Sequence, residues 1–400
     1  MKNFNKRTIA LIGAVAISAI AQPTAVFAIS VHVPSASVVA QTKAEDFLIQ
    51  GEEKYEKGDY QGALAAYTQA IVLNPNYAEA YNGRGNARYR LGDYKGALAD
   101  FNEALRINPN YAEAYTNRGN ARDDSGDSQG ALADYTEALR INPNDAIAYY
   151  NRGVTHSRLG DNKGAVADYT EALRNNPNYA SAYNNRGLVR SELGDNQGAI
   201  ADFNEALRIN PNLSQAYGNR GLARYSLGDK EGAIADFNQV LQINPNDALA
   251  YYHRGNIRYV SGDNQGAVAD YNEAVRINPN FAAAYTYRGN ARDDLGDSQG
   301  ALADYDRALQ INPNFAAAYL NRGVTRSRLG DTQSALADYT AALRIEPNLA
   351  GAYLRRGLTR AKGGDKPGAM QDFQKAADLF QQQGDQDNYQ KAINNLRKLQ

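Results

Sequence analysis

Nine of the twelve prolines in this 400-residue chain lie 34 residues apart, from Pro75 to Pro347. The residues before each of these prolines also repeat, so the segment from Ala78 to Tyr111 recurs with substitutions along most of the chain. A fixed period of this length is typical of an array in which one small unit of secondary structure packs against copies of itself. The sequence therefore predicts an array of repeats rather than a globular domain.

The repeat register extends from residue 44 to residue 383 and divides this part of the chain into ten units. These units are 44–77, 78–111, 112–145, 146–179, 180–213, 214–247, 248–281, 282–315, 316–349 and 350–383. Outside the register lie 60 residues in three pieces, which are 1–28, 29–43 and 384–400. Pieces of this size are too small to bury a second hydrophobic core. We therefore expect no separate catalytic domain.

Each unit has the pattern of two helices joined by a tight turn. In unit 112–145, small and apolar residues at three- and four-residue spacing predict a first helix, which Gly126 ends. Asp127 is placed to cap the second helix, and Pro143 prevents its continuation. We expect asparagines in the turns between units, such as Asn110, to cap the following first helix.

A glycine recurs at the eighth position of every unit, inside the first helix, as at Gly119. Glycine in a helix interior costs roughly 1 kcal/mol relative to alanine. A cost repeated in ten units requires a repeated cause. We interpret it as close approach of the second helix, whose facing residue is a small alanine such as Ala131.

The pattern resembles the tetratricopeptide repeat family, which has a 34-residue period. The resemblance rests on an aromatic residue at the fourth position, such as Tyr115, on a small residue before a second aromatic, such as Ala97 before Phe101, and on the closing Ala104 and Pro109. It implies an all-α fold, a right-handed superhelical solenoid of ten tandem helix-turn-helix units. It further implies that the first helices line a concave groove and that the partners are other proteins or peptides.

The chain departs from the family pattern in carrying arginine at the seventh position of nine units and usually also at the eleventh, as at Arg186 and Arg190. An aspartate recurs on the facing side of the second helix, as at Asp202. The first unit lacks both, since it has Gln50 and Ala66 there. The planar guanidinium group of arginine can donate two hydrogen bonds to one buried carboxylate. We therefore interpret the arginine–aspartate pairs as a row of internal ion pairs along the array, which we call the ladder. The alternative is that the arginines contact a ligand.

The last 17 residues, 384–400, predict a C-terminal capping helix. Tyr389, Ala392, Ile393 and Leu396 fall on one face of such a helix. A solenoid requires a terminal element of this kind, because its last repeat otherwise exposes its core.

Asparagine is the dominant residue at the sixth position and recurs at the ninth, both of which the resemblance places on the groove floor. The candidate groove residues are Asn86, Asn117, Asn120, Asn151, Asn185, Asn219, Asn256, Asn290 and Asn321, together with Tyr89, Tyr225 and Tyr259. An asparagine amide can donate to and accept from one peptide unit. A row of them at constant spacing suits an extended peptide of any sequence. The alternative is that these asparagines contact only water.

An acidic pair, Asp123 and Asp124, returns five units later as Asp293 and Asp294. The two units that contain these pairs match at 27 of 34 positions, which indicates duplication of a five-unit block. The pairs lack the alternating ligand spacing of a calcium loop. We interpret them as solvated helix ends, with attraction of a basic partner or a cation as the alternative.

Residues 1–28 have the layout of a secretory signal peptide. Lys2, Lys6 and Arg7 precede an apolar run from residue 9 to residue 21, and small-residue cleavage sites end at residues 21 and 28. The run is shorter than the roughly 20 residues of a membrane span, so an uncleaved anchor is the weaker alternative. We expect export to a periplasm or equivalent lumen, or secretion, without membrane insertion after cleavage. Residues 29–43 predict a flexible linker.

The charge and the residue inventory restrict the function further. Removing residues 1–28 leaves 40 basic and 44 acidic residues, a net charge of −4, which does not suit nucleic-acid binding. There is no cysteine, and the three histidines are scattered. We therefore predict no enzyme activity, no metal site and no cofactor.

The two hypotheses for the function differ in the surface that they use. The first is an exported interaction scaffold that binds polypeptide segments in its groove, during assembly or transport at the cell envelope. The second is an architectural subunit or spacer of an envelope complex, which uses its convex face or its ends.

Overall fold

The structure, a computed structural model, describes residues 36–400, and this part of the chain contains helices and turns but no β-strand. The helices are α1 (Ala36–Glu56), α2 (Tyr60–Leu73), α3 (Ala78–Arg90), α4 (Tyr94–Ile107), α5 (Ala112–Asp124), α6 (Ser128–Ile141), α7 (Ala146–Arg158), α8 (Asn162–Asn175), α9 (Ala180–Glu192), α10 (Asn196–Ile209), α11 (Ser214–Ser226), α12 (Lys230–Ile243), α13 (Ala248–Val260), α14 (Asn264–Ile277), α15 (Ala282–Asp294), α16 (Ser298–Ile311), α17 (Ala316–Arg328), α18 (Thr332–Ile345), α19 (Ala350–Lys362), α20 (Lys366–Gln382) and α21 (Gln386–Arg397).

The helices pair in chain order, so that odd-numbered helices from α1 to α19 are first helices and even-numbered helices from α2 to α20 are second helices. Each helix packs against its partner in the unit and against the next helix along the chain. Small clusters of buried residues recur with the repeat, as at Ala199, Phe203 and Ala223. The prediction of an all-α solenoid of helix pairs is therefore confirmed.

The turn inside each unit follows the sequence prediction. Gly126 has a φ of 95°, which favours glycine because other residues are strained there. Asp127 then caps α6, since its carboxylate accepts a hydrogen bond from the Gly130 N–H. The equivalent glycines and aspartates do the same along the array.

The prediction for the turns between units is wrong in its detail. Asn110 does not cap α5, because the helix begins one residue later, with Tyr111 at the N-cap and no side-chain cap bond. Asn108 occupies the turn instead, where its Oδ1 accepts from the Asn110 N–H at 3.1 Å. Aspartate caps are present at two first helices, where Asp145 and Asp247 accept from backbone N–H groups.

The eighth-position glycines are tightly packed, as predicted, but the main cause is an aromatic ring rather than the facing alanine. A Cβ on Gly119 would lie 2.6 Å from Cε1 of Tyr135, and one on Gly187 would lie 2.8 Å from Cε1 of Phe203. Both rings are buried. The ring of the second helix thus occupies the volume that a side chain on the first helix would need.

The first helices lie on the inner side of the solenoid. Successive first helices contact one another, for example α3 with α5 and α5 with α7, whereas successive second helices within residues 36–400 make at most marginal contact. Helices that lie closer together mark the side toward which a stack curves. The concave surface is therefore built from the first helices, and it carries their sixth- and ninth-position residues.

The two ends of the array differ from each other. Helix α1 begins at Ala36, so the predicted linker 29–43 is helical from that residue onward, which corrects its interpretation as a flexible segment. The sequence contains no glycine or proline from residue 36 to residue 50 that would interrupt a helix. The predicted signal peptide lies outside the described residues.

The predicted C-terminal capping helix is confirmed as α21. Its residues Tyr389, Ala392 and Ile393 pack against the buried face of α20 at Ala377 and Phe380. In the described part of the chain, no helix combines the length and the apolar character that crossing a bilayer requires.

Candidate functional site

The seventh- and eleventh-position arginines of the first helices are bound inside the array. Arg186 donates through Nε and Nη2 to the two carboxylate oxygens of Asp202, at 2.9 and 2.6 Å. Arg190 donates to the same carboxylate at 2.8 Å. Asp202 is buried, with 3% of its surface exposed, and the Arg186 guanidinium lies over the Tyr183 ring at 5.6 Å. The interpretation of an internal ladder is confirmed for this pair.

The ladder repeats along the array. The buried aspartates of the second helices are Asp100, Asp134, Asp168, Asp202, Asp236, Asp270, Asp304, Asp338 and Asp372. Each accepts a two-pronged hydrogen bond from the seventh-position arginine of its own unit. These guanidinium groups therefore have little capacity left for a ligand.

The sixth-position asparagines bridge adjacent first helices. Each of them donates from Nδ2 to a side chain of the preceding unit. The bonds run from Asn117 to Asn82 (3.0 Å), from Asn151 to Asn120 (2.8 Å), from Asn185 to the Tyr150 hydroxyl (3.1 Å), from Asn219 to Asn184 (3.2 Å) and from Asn321 to Asn290 (2.9 Å). Sequence reasoning considered a peptide or water as their partner and missed this use. Asn117 also donates to Glu113 at 3.5 Å, and Asn185 also accepts from Asn184 at 3.1 Å. These bonds do not exhaust the amides, because Nδ2 carries two hydrogens and Oδ1 accepts two bonds.

Three ninth-position asparagines accept hydrogen bonds from buried tyrosine hydroxyls of the second helix. Asn120, Asn256 and Asn290 accept from the hydroxyls of Tyr135, Tyr271 and Tyr305, at 2.9, 2.7 and 2.9 Å. Asn86 stands in a unit whose second helix has Phe101 instead, and it is half-buried. Three of these asparagines therefore bind a tyrosine hydroxyl of the second helix, and Asn86 has no such hydroxyl in its unit.

The tyrosines of the groove positions fall into two kinds. Tyr89 and Tyr259 donate from their hydroxyls to Asp124 and Asp294 of the next unit, the second bond being 2.8 Å long. Burial and the hydrogen bond to Asp294 raise the pKa of Tyr259 to about 12. Tyr225 is 38% exposed, and the residue equivalent to Asp294 in the next unit is Val260 rather than an aspartate. Tyr225 is therefore the most accessible of the three.

The interpretation of the acidic pairs as solvated helix ends is wrong for Asp123. This residue is buried and accepts from Ser128 Oγ at 2.8 Å and from Thr155 Oγ1 at 2.9 Å. Arg158 forms an ion pair with it at 3.0 Å. The physical reason is that α7 packs beside α5 and brings Thr155 and Arg158 to its end. Asp124 is exposed, as predicted for a helix end.

The duplicated acidic pairs line two equivalent pockets on the concave surface, with volumes of about 230 and 180 Å³. The first contains Tyr89, Asp123 and Asp124, and the second contains Asp293 and Asp294. Within residues 36–400, no three His, Cys, Asp or Glu side chains come together in an arrangement that could hold a metal ion.

A third concave pocket, of about 460 Å³, lies between α9, α11 and α13. Gly218, Leu188, Leu222 and Leu249 are among the residues that line it. Sequence reasoning missed this pocket. The available signal was the glycine at the fifth position of a first helix, where the neighbouring units carry Asn184 and a tyrosine.

Charge changes along the concave surface. Besides the sixth and ninth positions, the groove positions of each first helix are the second, fifth, twelfth and thirteenth. At these six positions the first three units carry one basic residue, Arg90, and seven carboxylates, which are Glu45, Glu52, Glu56, Glu79, Glu113, Asp123 and Asp124. Burial, together with the nearby carboxylates of Glu56 and Glu113, raises the pKa of Glu52. The last two units carry Arg328, Arg355 and Lys362 at the equivalent positions. The concave surface is thus acidic near α1, α3 and α5 and basic near α17 and α19.

His253 lies in the wall of the third pocket, stacked on Phe237 with ring centroids 5.5 Å apart. Burial lowers its pKa below the ordinary value of 6.5, and the Asp247 carboxylate opposes this only in part. A histidine with a lowered pKa binds its proton more weakly in the folded than in the unfolded chain. Its contribution to stability is therefore present above pH 6.5 and is lost as the pH falls below that value.

We accordingly expect His253 to titrate below pH 6.5 in the folded protein. Nuclear magnetic resonance of the three histidine rings, assigned with single His→Gln variants, measures this directly. The unfolding free energy should also fall less on acidification in His253→Phe than in the wild type. Titration of His253 at or above pH 6.5 would contradict its burial against Phe237.

Comparisons with known proteins agree with the repeat pattern. Sequence profiles described as tetratricopeptide repeat match residues 50–112, 154–214 and 320–384, and a further one matches 101–133. A profile described as TPR repeat matches residues 119–160, 221–262, 255–296 and 289–330. No curated protein matches the chain.

Several solved structures are similar to parts of the array. MamA is 26% identical over 40% of this chain and 94% of its own, with a TM-score of 0.39. YrrB, described as a TPR protein with an unusual peptide-binding site, is 24% identical over 47% of this chain and 97% of its own, with a TM-score of 0.42. Yeast Tom70 is 16% identical over 90% of this chain and 96% of its own, with a TM-score of 0.45.

The profile matches together cover most of the array, and the structure shows the helix pairs that the family's period implies. The chain belongs to the tetratricopeptide repeat family.

Proposed function

We propose that the protein is an exported interaction scaffold that holds extended segments of other polypeptides against the concave surface of its first helices. Membership of a family of protein-interaction repeats supports the general role. The observation that carries the specific proposal is the row of half-buried asparagines at constant spacing on that surface. The seventh- and eleventh-position arginines, in contrast, are bound to buried aspartates and are not available.

The amides suit a polypeptide backbone better than they suit a particular side chain. Asn151, Asn185 and Asn219 stand at the same position of α7, α9 and α11, and each already donates one bond to the preceding unit. That bond fixes the orientation of the amide, so a partner does not need to order it on binding. The Asn185 oxygen also accepts from Asn184, at 3.1 Å, but an amide oxygen accepts two bonds. The second N–H and the remaining lone pair of the oxygen can therefore pair with one peptide unit of an extended chain.

The test is to capture a partner by crosslinking in the native compartment, to identify it, and to measure its affinity for an alanine variant. Each hydrogen bond contributes roughly 0.5–1.5 kcal/mol net. We therefore expect the combined variant Asn151→Ala, Asn185→Ala and Asn219→Ala to bind the captured segment at least about tenfold more weakly. The helices should remain, because alanine is the better helix former.

A matched control replaces three other asparagines at the same 34-residue spacing. Asn178, Asn212 and Asn246 are exposed in the turns between units and do not lie on the first helices. Their replacement with alanine should leave the affinity unchanged. Equal affinities for wild type and groove variant, or a greater loss in the turn variant, would contradict the groove proposal. That outcome would favour the architectural alternative, in which the convex face or the ends make the contacts.

We also propose export, which rests on the basic start, the apolar run and the small-residue sites of residues 1–28. The mature protein should begin at Gln22 or Ile29. Amino-terminal sequencing of the native protein, combined with cell fractionation, measures this. An intact Met1 on cytosolic material would contradict it.

A further inference from the structure

The pocket between α9, α11 and α13 exists because Gly218 has no side chain. A Cβ on Gly218 would find only Val240 Cγ2 within 4 Å, at 3.9 Å, and Gly218 thus differs from the tightly packed Gly187. Other first helices carry a larger residue at this position, such as Leu320 or Leu354. Gly218 therefore leaves a volume on the concave surface that a side chain fills elsewhere.

The walls of this Gly218 pocket are apolar and accessible. Leu188, Leu222 and Leu249 are 40%, 41% and 58% exposed, and they come from three successive first helices. Leu188 and Leu222 occupy the ninth position, where other units carry asparagine. Exposed leucines on several helices around one depression form an apolar surface that remains open to water in the free protein.

The surroundings of the pocket limit what can occupy it. The half-buried amides of Asn185 and Asn219 also line it and can bind a polypeptide backbone, whereas the Asn184 amide is buried and is bonded to both of them. Among the lining residues, Asp247 is the single carboxylate, and there is no lysine or arginine. On the side toward α5, α3 and α1, the concave surface is acidic at Asp124 and at the glutamates of the first units.

We infer that the Gly218 pocket anchors one large apolar side chain of an extended polypeptide partner that carries basic residues on the side facing α1, α3 and α5. The inference rests on the proposed function and adds the chemistry of the partner to it. The pocket supplies apolar contact for the anchor, the amides hold the backbone beside it, and the acidic units supply charge complementarity for the basic flank. The charge gradient also sets which flank of the partner lies toward α1, α3 and α5.

The experiment selects random peptides of about 12 residues, which extend to roughly 40 Å, on the full protein. The selected peptides should share one Leu, Ile, Phe or Trp and an excess of Lys and Arg on one side of it. The protein contains no tryptophan, so a peptide with Trp at the anchor position reports its own environment by fluorescence. Its emission should shift to shorter wavelength on binding.

Gly218→Leu fills the pocket with a side chain that the fold accepts at Leu320 and Leu354. This substitution should lower the affinity for the selected peptides at least about tenfold and abolish the fluorescence shift. Gly351→Leu is the matched control, because a Cβ on Gly351 meets nothing within 4 Å and Gly351 lies on α19, outside the pocket. It should change neither. Leu249→Ser is a second variant that tests the pocket. Leu249 is an exposed residue of the pocket wall, so its replacement leaves the core untouched.

The outcomes separate this inference from the proposed function. In one outcome, the peptides bind the triple asparagine variant more weakly than the wild type but bind Gly218→Leu as tightly as the wild type. This outcome would overturn the inference and leave the proposed function intact. Selected peptides without a shared apolar residue, or with an acidic flank, would do the same. Failure to select any peptide on the wild type, or binding that neither variant weakens, would overturn both.

Discussion

Replacing Asp202 with alanine is expected to lower the free energy of unfolding by about 3 kcal/mol. Asp202 is 3% exposed and binds both Arg186 and Arg190, at 2.6 and 2.8 Å. Its removal leaves two guanidinium groups without their carboxylate, and Arg186 is itself largely buried. The loss therefore reflects uncompensated charge as well as the broken hydrogen bonds.

Chemical denaturation, fitted with a description in which each repeat interacts with its nearest neighbours, measures this loss. Glu205→Ala is the control, because Glu205 pairs with Arg208 on the exposed side of the same helix. That variant should show no measurable change, as is usual for surface ion pairs. A change below about 0.5 kcal/mol in Asp202→Ala would contradict the structural role and would make the arginines candidates for ligand binding again.

The second large effect is expected at Gly187, where valine should lower the free energy of unfolding by about 2 to 3 kcal/mol. A Cβ there would lie 2.8 Å from Phe203 Cε1 and 3.1 Å from the Ala199 carbonyl oxygen. The ring is buried, and the carbonyl belongs to the backbone of the second helix, so neither can move without disturbing the unit. The extra carbons therefore overpack the core.

Gly218→Ala, on the next first helix, is the matched variant with the opposite sign. Its new methyl group makes only an ordinary contact, with Val240 Cγ2 at 3.9 Å, and alanine is favoured over glycine in a helix interior by roughly 1 kcal/mol. The same denaturation measurement should therefore show a small gain for Gly218→Ala and a loss for Gly187→Val. A neutral Gly187→Val would mean that the helices of a unit are less closely packed than the structure shows.

The repeat pattern was sufficient to predict the helix pairs, the glycine turns and the arginine–aspartate ladder. These features depend on residues close in sequence or within one unit: Gly126 sets one backbone angle, and Arg186 and Asp202 are 16 residues apart. The asparagine caps were predicted wrongly although they are local. The Asn108 side chain binds the turn and moves the helix start past Asn110.

The concave surface was predicted as a row of residues, but not as a set of contacts. The hydrogen bonds of Asn151, Asn185 and Asn219 join residues 31 to 35 positions apart, across neighbouring units. The same holds for Thr155 and Asp123, which are 32 apart. A sequence period shows that such residues recur, but it does not show which of them come within hydrogen-bond distance.

The sequence by itself determined the all-α class, the repeat and the internal position of the charged residues, because these follow from short-range periodicity and from the requirement to pair buried charges. Tertiary structure alone decided which polar groups on the concave surface are already bound to a neighbouring unit, and where a missing side chain opens the Gly218 pocket. The physical reason is that the curvature of the stack sets the spacing between successive first helices. That spacing depends on how the rings and glycines of neighbouring units pack together, so it cannot be read from the sequence of one unit.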